Sequence, residues 1–318
     1  MRVLLVVAVL LAAPVSAVRA QTSHAEQIRQ AERLRSEGQA QAAAAMLEPL
    51  VHSGSMIPVE LGVAWDVLGS SYEDLQMPEK ARSCYETSIE LLRVLPAEQT
   101  KYAAALSNLG SLVDMLGQKD SAKRLYTKAN HIYDGLGDTG GTAITATSLA
   151  MLAYRQNDFK AARRYLAQAV EQAGRTTGLR DDDIAALDSM QSAMAFHERR
   201  YEDSIRLVQG AIDRWTHAYG PAYLMLGFAY AMRAQSIAKL GDYPRALADV
   251  RQALAIIEAA HARNTPGYYR TEVVYAQILG ASGEREQASQ LKKDASRSLT
   301  ELESRQCKGC TIDASAFR

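Results

Sequence analysis

The chain has 318 residues, 47% of them hydrophobic and 23% charged, with 36 basic side chains against 36 acidic ones. A formal net charge of zero excludes a partner chosen by bulk charge, whether nucleic acid or an anionic membrane surface. Only eight prolines and few β-branched runs favour helix throughout. No stretch alternates with period two for more than a few residues, so an all-α fold without sheet is expected.

The first twenty residues stand apart. Arg2 precedes an apolar run from Val3 to Ala13, then Pro14, and Val18-Arg19-Ala20 places small residues where a signal peptidase reads. This is the layout of a cleaved secretory signal peptide over residues 1–20, with Gln21 as the new terminus. The rival reading is a membrane anchor, but the run falls short of the ~20 apolar residues needed to span a bilayer. Cleavage removes Arg2 and Arg19 and leaves 34 basic against 36 acidic side chains, a net charge of −2.

Beyond residue 20 the chain repeats. Small residues recur at Ala43, Ala81, Ala122, Ala162, Ser204, Ala246 and Ala288, in steps of 38, 41, 40, 42, 42 and 42. A fixed period of that size means one structural unit copied end to end, hence a solenoid with an extended surface and no single deep cavity. The first unit is a weak copy (Gly38, Ala43, Leu47). In the second, Trp65, Leu68, Gly69 and Tyr72 share one helical face, and after Gln76-Met77-Pro78 a second helix carries Ala81, Tyr85 and Ser88. The expected packing sets Gly69 against Ala81, with Trp65, Tyr72 and Tyr85 filling the flanks. The third unit repeats this with Leu106, Leu109, Gly110 and Val113, then Gly117, Ala122, Tyr126 and Ala129. The fourth has Leu149, Ala150, Asp158-Phe159, Ala162, Leu166 and Ala169; the fifth, Tyr201, Ser204 and Ala211; the sixth, Gly241-Asp242-Tyr243, Ala246 and Ala253; the seventh, Gly283, Ala288 and Ala295.

On these residues the pattern resembles the tetratricopeptide repeat family, over roughly residues 24 to 298. Its period exceeds that family's usual ~34 residues by about eight, close to two helical turns. The repeat is therefore similar to the long variant found in kinesin light chains and many bacterial proteins. The resemblance implies a right-handed α-solenoid of about seven helix pairs over residues 21–298, followed by a tail, 299–318. It also implies a concave groove lined by the first helix of each pair. The groove positions carried over are Asp66, Glu73, Asn108, Asp114, Met151, Tyr154, Arg155, Met190, His197 and Gln235. This groove runs from an acidic end through a methionine and aromatic middle, and such surfaces suit a peptide or helix laid along them. For Met151 and Met190 the competing reading is packing between neighbouring repeats. The family's lysine and asparagine carboxylate clamp is not matched, because Asp66 with Ser70 and Ser107 with Ser111 stand there.

Other chemistry is poorly supported. Gly135-Leu136-Gly137-Asp138-Thr139-Gly140 spells G-x-G-x-x-G, but a helix precedes it where a dinucleotide site needs a strand, so it reads as an inter-repeat loop. Six scattered histidines form no metal-ligand spacing, and no metal or cofactor is expected. Asp181-Asp182-Asp183 fits a helix N-terminus, where acids complement the macrodipole. Cys84 reads as a buried small hydrophobe. Cys307 and Cys310, with Gly309 between them, can close a local disulfide in an oxidising compartment. Free thiols and a redox role are the competing readings.

The function expected is a non-enzymatic, periplasmic or secreted scaffold binding a protein or peptide partner, without nucleic acid and without membrane insertion after cleavage. The alternative is an accessory or regulatory subunit of an envelope enzyme or secretion complex.

Overall fold

A computed structural model of the chain describes residues 23–306. The signal peptide expected over residues 1–20 and the Cys307/Cys310 pair lie outside the described residues. Among those described there are fourteen α-helices and no strand, arranged as seven consecutive helix pairs. The first helices of the pairs are α1 (His24–Ser36), α3 (Pro58–Asp74), α5 (Gln99–Met115), α7 (Thr139–Arg155), α9 (Asp181–His197), α11 (Leu224–Lys239) and α13 (Pro266–Ser282). The second helices are α2 (Ala40–Val51), α4 (Pro78–Arg93), α6 (Lys119–Leu136), α8 (Phe159–Ala173), α10 (Tyr201–Tyr219), α12 (Tyr243–Ala259) and α14 (Arg285–Gln306). Helix α14 continues past residue 298, where the solenoid was expected to end.

Each pair closes through the same turn. A residue with left-handed backbone follows every first helix: Gly38, Gln76, Gly117, Asn157, Arg199, Gly241 and Gly283, with φ between 57° and 109°. Each precedes the small residue of its second helix by five positions, so turn and ladder keep one register. In six of the seven the next backbone N–H reaches back five residues, as in Gln118 N to Val113 O at 2.8 Å and Asp158 N to Ala153 O at 2.9 Å. That bond satisfies a carbonyl otherwise orphaned at the helix end. Asp158 and Asp242 then cap the second helix by accepting from Ala161 N and Arg245 N.

The small ladder is buried throughout: Ala43, Ala81, Ala122, Ala162, Ser204 and Ala246 are 0% exposed and Ala288 is 8%. Twelve residues before each rung stands a second ladder on the first helix, namely Ala31, Gly69, Gly110, Ala150, Ser192, Ala234 and Ala276, all buried. What stands nearest to Gly69 is the Tyr85 ring. A Cβ there would lie 2.7 Å from the Tyr85 ring, and one at Gly110 would lie 3.0 Å from Tyr126. The glycine accommodates the aromatic residue four positions after the rung. Where that aromatic gives way to Leu166, Val208 or Val250, the opposing residue is Ala150, Ser192 or Ala234. Volume is conserved across the helix pair.

The polar rung Ser204 is satisfied in place. Its hydroxyl lies 2.9 Å from Ser192 Oγ and 2.8 Å from Ser236 Oγ, while Ser192 donates to the Ser204 carbonyl at 2.8 Å. Trp65 is only half-buried and meets His52 edge-on at 5.4 Å. Cys84 is buried on α4, and burial pushes its thiol pKa up to about 12. The glycine-rich segment is an inter-repeat turn: Gly137 ends α6 with left-handed backbone and Asp138 caps α7. The triple aspartate occupies the first turn of α9, where Asp182 accepts from Trp215 Nε1 at 2.7 Å and Asp181 pairs with Arg214 at 3.0 Å.

Candidate functional site

The first helix of every pair touches the first helix of the next pair, whereas the second helices make no comparable contact with one another. The first helices therefore line the inner, concave side. Their last turns are stitched by one recurring link: Arg35 pairs with Asp74 at 3.2 Å, Asp114 pairs with Arg155, and Tyr154 meets His197 edge-on at 6.5 Å. In each case the contact runs from one repeat to the next along the same rim.

At the N-terminal end the groove is acidic. Asn108 Nδ2 donates to Asp66 Oδ2 at 2.9 Å, joining α3 to α5. Asp66 Oδ1 is shut off from solvent and has no hydrogen-bond partner. Burial pushes the Asp66 carboxyl up to about 7, against the opposing pulls of the Asn108 hydrogen bond and the Arg35 guanidinium. Glu73 accepts from Tyr85 Oη at 2.8 Å, and burial raises its pKa also. These acids answer to protein partners first, so the predicted acidic end is largely an internal network.

The middle is different. Phe159, at the start of α8, stacks on His197 with ring centroids 3.6 Å apart and planes 16° from parallel, and Tyr154 meets Phe159 edge-on at 5.5 Å. His197 is exposed and Tyr154 and Phe159 are half-buried, so this three-ring cluster forms a surface on the rim between α7 and α9. Met151 is half-buried and packs against the core cluster of Ala150, Ala162 and Met190. Met190 is a correction: at 2% exposure it packs with Ala150, Ala162 and Met194 in the core, beneath the groove surface. The i+4 spacing from Met190 to Met194 runs down the buried side of α9, and a methionine there fills the gap left by small neighbours. Gln235 is half-buried on α11, away from the rings.

Phe159 went unpredicted as a groove residue because it belongs to a second helix. Its signal was the Asp158-Phe159 turn, which delivers the ring to the rim. Arg233 was also missed: it holds Asp249 through two bonds of 2.7 and 2.8 Å and contacts Gln209, a nearly buried ion pair tying α11 to α12 and α10. Among the described residues, no three His, Cys, Asp or Glu side chains are grouped to hold a metal ion. Among the same residues, no helix is long and apolar enough to cross a membrane.

Comparison with known proteins agrees with this architecture. Residues 60–134 and 142–183 match tetratricopeptide repeat models. No functionally curated protein matches the chain in sequence. Among solved structures, the Rap protein complexed with competence and sporulation factor is 14% identical, with a TM-score of 0.63 over 88% of this chain and 77% of that one. The Cut9–Hcn1 hetero-tetramer of the APC/C is 17% identical, with a TM-score of 0.59 over 84% of this chain and 48% of that one. BtubC (BKLC) of P. vanneervenii is 20% identical, with a TM-score of 0.51 over 76% of this chain and 93% of that one. At such identities the likeness is one of fold.

Proposed function

We propose that this array of tetratricopeptide repeats is an exported, non-enzymatic scaffold that holds a peptide or helix of a partner protein against its concave rim. The observation that carries the reading is the Tyr154–Phe159–His197 cluster. Three rings gathered from two repeats, partly open to solvent, give an anchor point for an apolar or aromatic side chain at low cost in conformational freedom. The paired Arg155 and Asp114 beside it offer a polar border. Two relatives in fold are recorded with partners: Rap with competence and sporulation factor, and Cut9 with Hcn1. The repeat length supports the long-helix variety, and the layout of residues 1–20 supports export.

The test is affinity capture from envelope extract with wild type and with Tyr154→Ala/His197→Ala, the fold being checked by circular dichroism. The reading expects a partner lost from the folded variant; equal capture by both overturns the assigned site. One stoichiometric partner recovered in every preparation would instead favour a dedicated subunit of an envelope complex. Export is tested separately, by fractionation of cells producing the chain with a C-terminal tag, with recovery outside the cytoplasm expected.

A further inference from the structure

The turn that carries Phe159 to the inner rim has a second flank. On its other side, between the starts of α6 and α8, a crevice of about 290 Å³ is floored by Leu149, Leu152 and Ala153 of α7. Its walls carry Tyr165 and three cations, Lys123, Lys160 and Arg164. None of the three has a carboxylate oxygen within 4.0 Å among the described residues; Arg164 lies over the Tyr165 ring at 4.7 Å. The one acid at the crevice, Asp158, is occupied as the cap of α8. The same sign of charge continues along the outer face of α6 through Arg124 and Lys128, with Asp120 the one acid lining that stretch.

Unpaired cations around an apolar floor define a complementary ligand. We propose that this crevice is a second binding site, on the outer side of the array, for an acidic segment of a partner protein. A carboxylate enters among Lys123, Lys160 and Arg164, where charge-assisted bonds are strongest. A neighbouring aliphatic or aromatic side chain covers the half-buried Tyr165 ring and Ala161. The half-buried Tyr165 ring and Ala161 favour an organic ligand over a bare inorganic anion, and the recess between two helices disfavours a flat lipid surface. The site shares no side chain with the Tyr154–Phe159–His197 rim, so the two stand or fall separately.

The test is parallel selection of a random peptide library displayed on phage. The targets are the wild-type chain, a Lys123→Gln/Lys160→Gln/Arg164→Gln variant and the rim variant Tyr154→Ala/His197→Ala. All three exposed cations can be neutralised without touching the core, and circular dichroism confirms the fold. Wild type and rim variant are expected to enrich peptides that join Asp or Glu to an apolar residue, with recovery at least ~10-fold lower on the neutralised variant. No acidic enrichment on wild type, or equal enrichment on the neutralised variant, overturns the site. Flotation with phosphatidylglycerol vesicles provides the other arm: flotation of wild type but not of the neutralised variant, with no acidic peptides selected, assigns the face to a membrane surface and also overturns the proposal.

Discussion

The two halves of the array are built on one register but packed differently. From Ile28 on α1 to Leu152 on α7 a single continuous core runs through the first three pairs into the fourth. From α7 onward the core divides into smaller clusters, each confined to two to four helices. Two of the pairs in the continuous core also differ from the later pairs at one position. Tyr85 and Tyr126 lie in the continuous core against Gly69 and Gly110, and each ring also reaches polar groups on its first helix. The corresponding Leu166, Val208 and Val250 are shorter. In a solenoid, coupling between repeats depends on such nearest-neighbour contacts. The first half should therefore open as a block, and the second half piecewise.

The largest test of that contrast is Tyr85→Ala, expected to cost about 3–5 kcal/mol. Hydrogen exchange should then show protection falling together from α2 to α7 and retained over α10–α14. Val250→Ala, at roughly 1–3 kcal/mol, should loosen only α10–α13. Loss confined to α3 and α4 in the first variant, or reaching α14, would break the comparison.

Next in size is Gly69→Ala, whose added carbon must displace the Tyr85 ring, at ~1–3 kcal/mol. Gly69→Ala/Tyr85→Leu should recover most of that loss in denaturant melts, since Ala150 with Leu166 is the pairing the fourth unit already uses. A double variant no more stable than Gly69→Ala would show that the two positions are not coupled.

A smaller, pH-dependent effect centres on the first half, while burial raises Asp188 on α9 and Glu272 on α13 in the same direction. Asp66, its carboxyl pushed by burial up to about 7 from an ordinary 3.8, holds its proton more tightly in the folded state. Stability from this group is fully present below about 4 and is lost as pH rises towards about 7. Glu73 and Asp74, raised by burial, act in the same direction. Thermal melts from pH 4 to 8 should show the first half weakening with rising pH, and Asp66→Asn should flatten part of that slope and stabilise at pH 8. An unchanged slope would contradict the assignment. Smallest of all, Gln76→Gly, Asn157→Gly and Arg199→Gly should each stabilise by a few tenths to about 1 kcal/mol, because each native residue holds left-handed backbone at a helix end.

Much of this architecture was legible in the chain. The small ladder lands on buried positions of seven second helices, and the period fixes the helix lengths. Gly38, Gly117, Gly241 and Gly283 announce their turns. Gln76, Asn157 and Arg199 do the same job silently, because the turn imposes its conformation on residues that do not advertise it. The rim was half legible: Tyr154 and His197 lie 43 positions apart, one repeat plus a residue, and the link between successive repeats follows that offset. Met190 was misplaced because helical spacing alone does not say how deeply a first helix sinks between its neighbours. The basic crevice was invisible for a related reason. Lys123 comes from α6 and Lys160 and Arg164 from α8, and no charge run marks them.

The proposed contact of a partner is with the inner rim between α7 and α9. It is tested most directly by placing a photo-crosslinking amino acid at position 154 in native cells, with position 90 on α4 as a control. The account predicts a discrete crosslinked species from position 154 that is absent from position 90 and is lost when His197→Ala is added. Crosslinks of equal yield from both positions, or from neither, would contradict it.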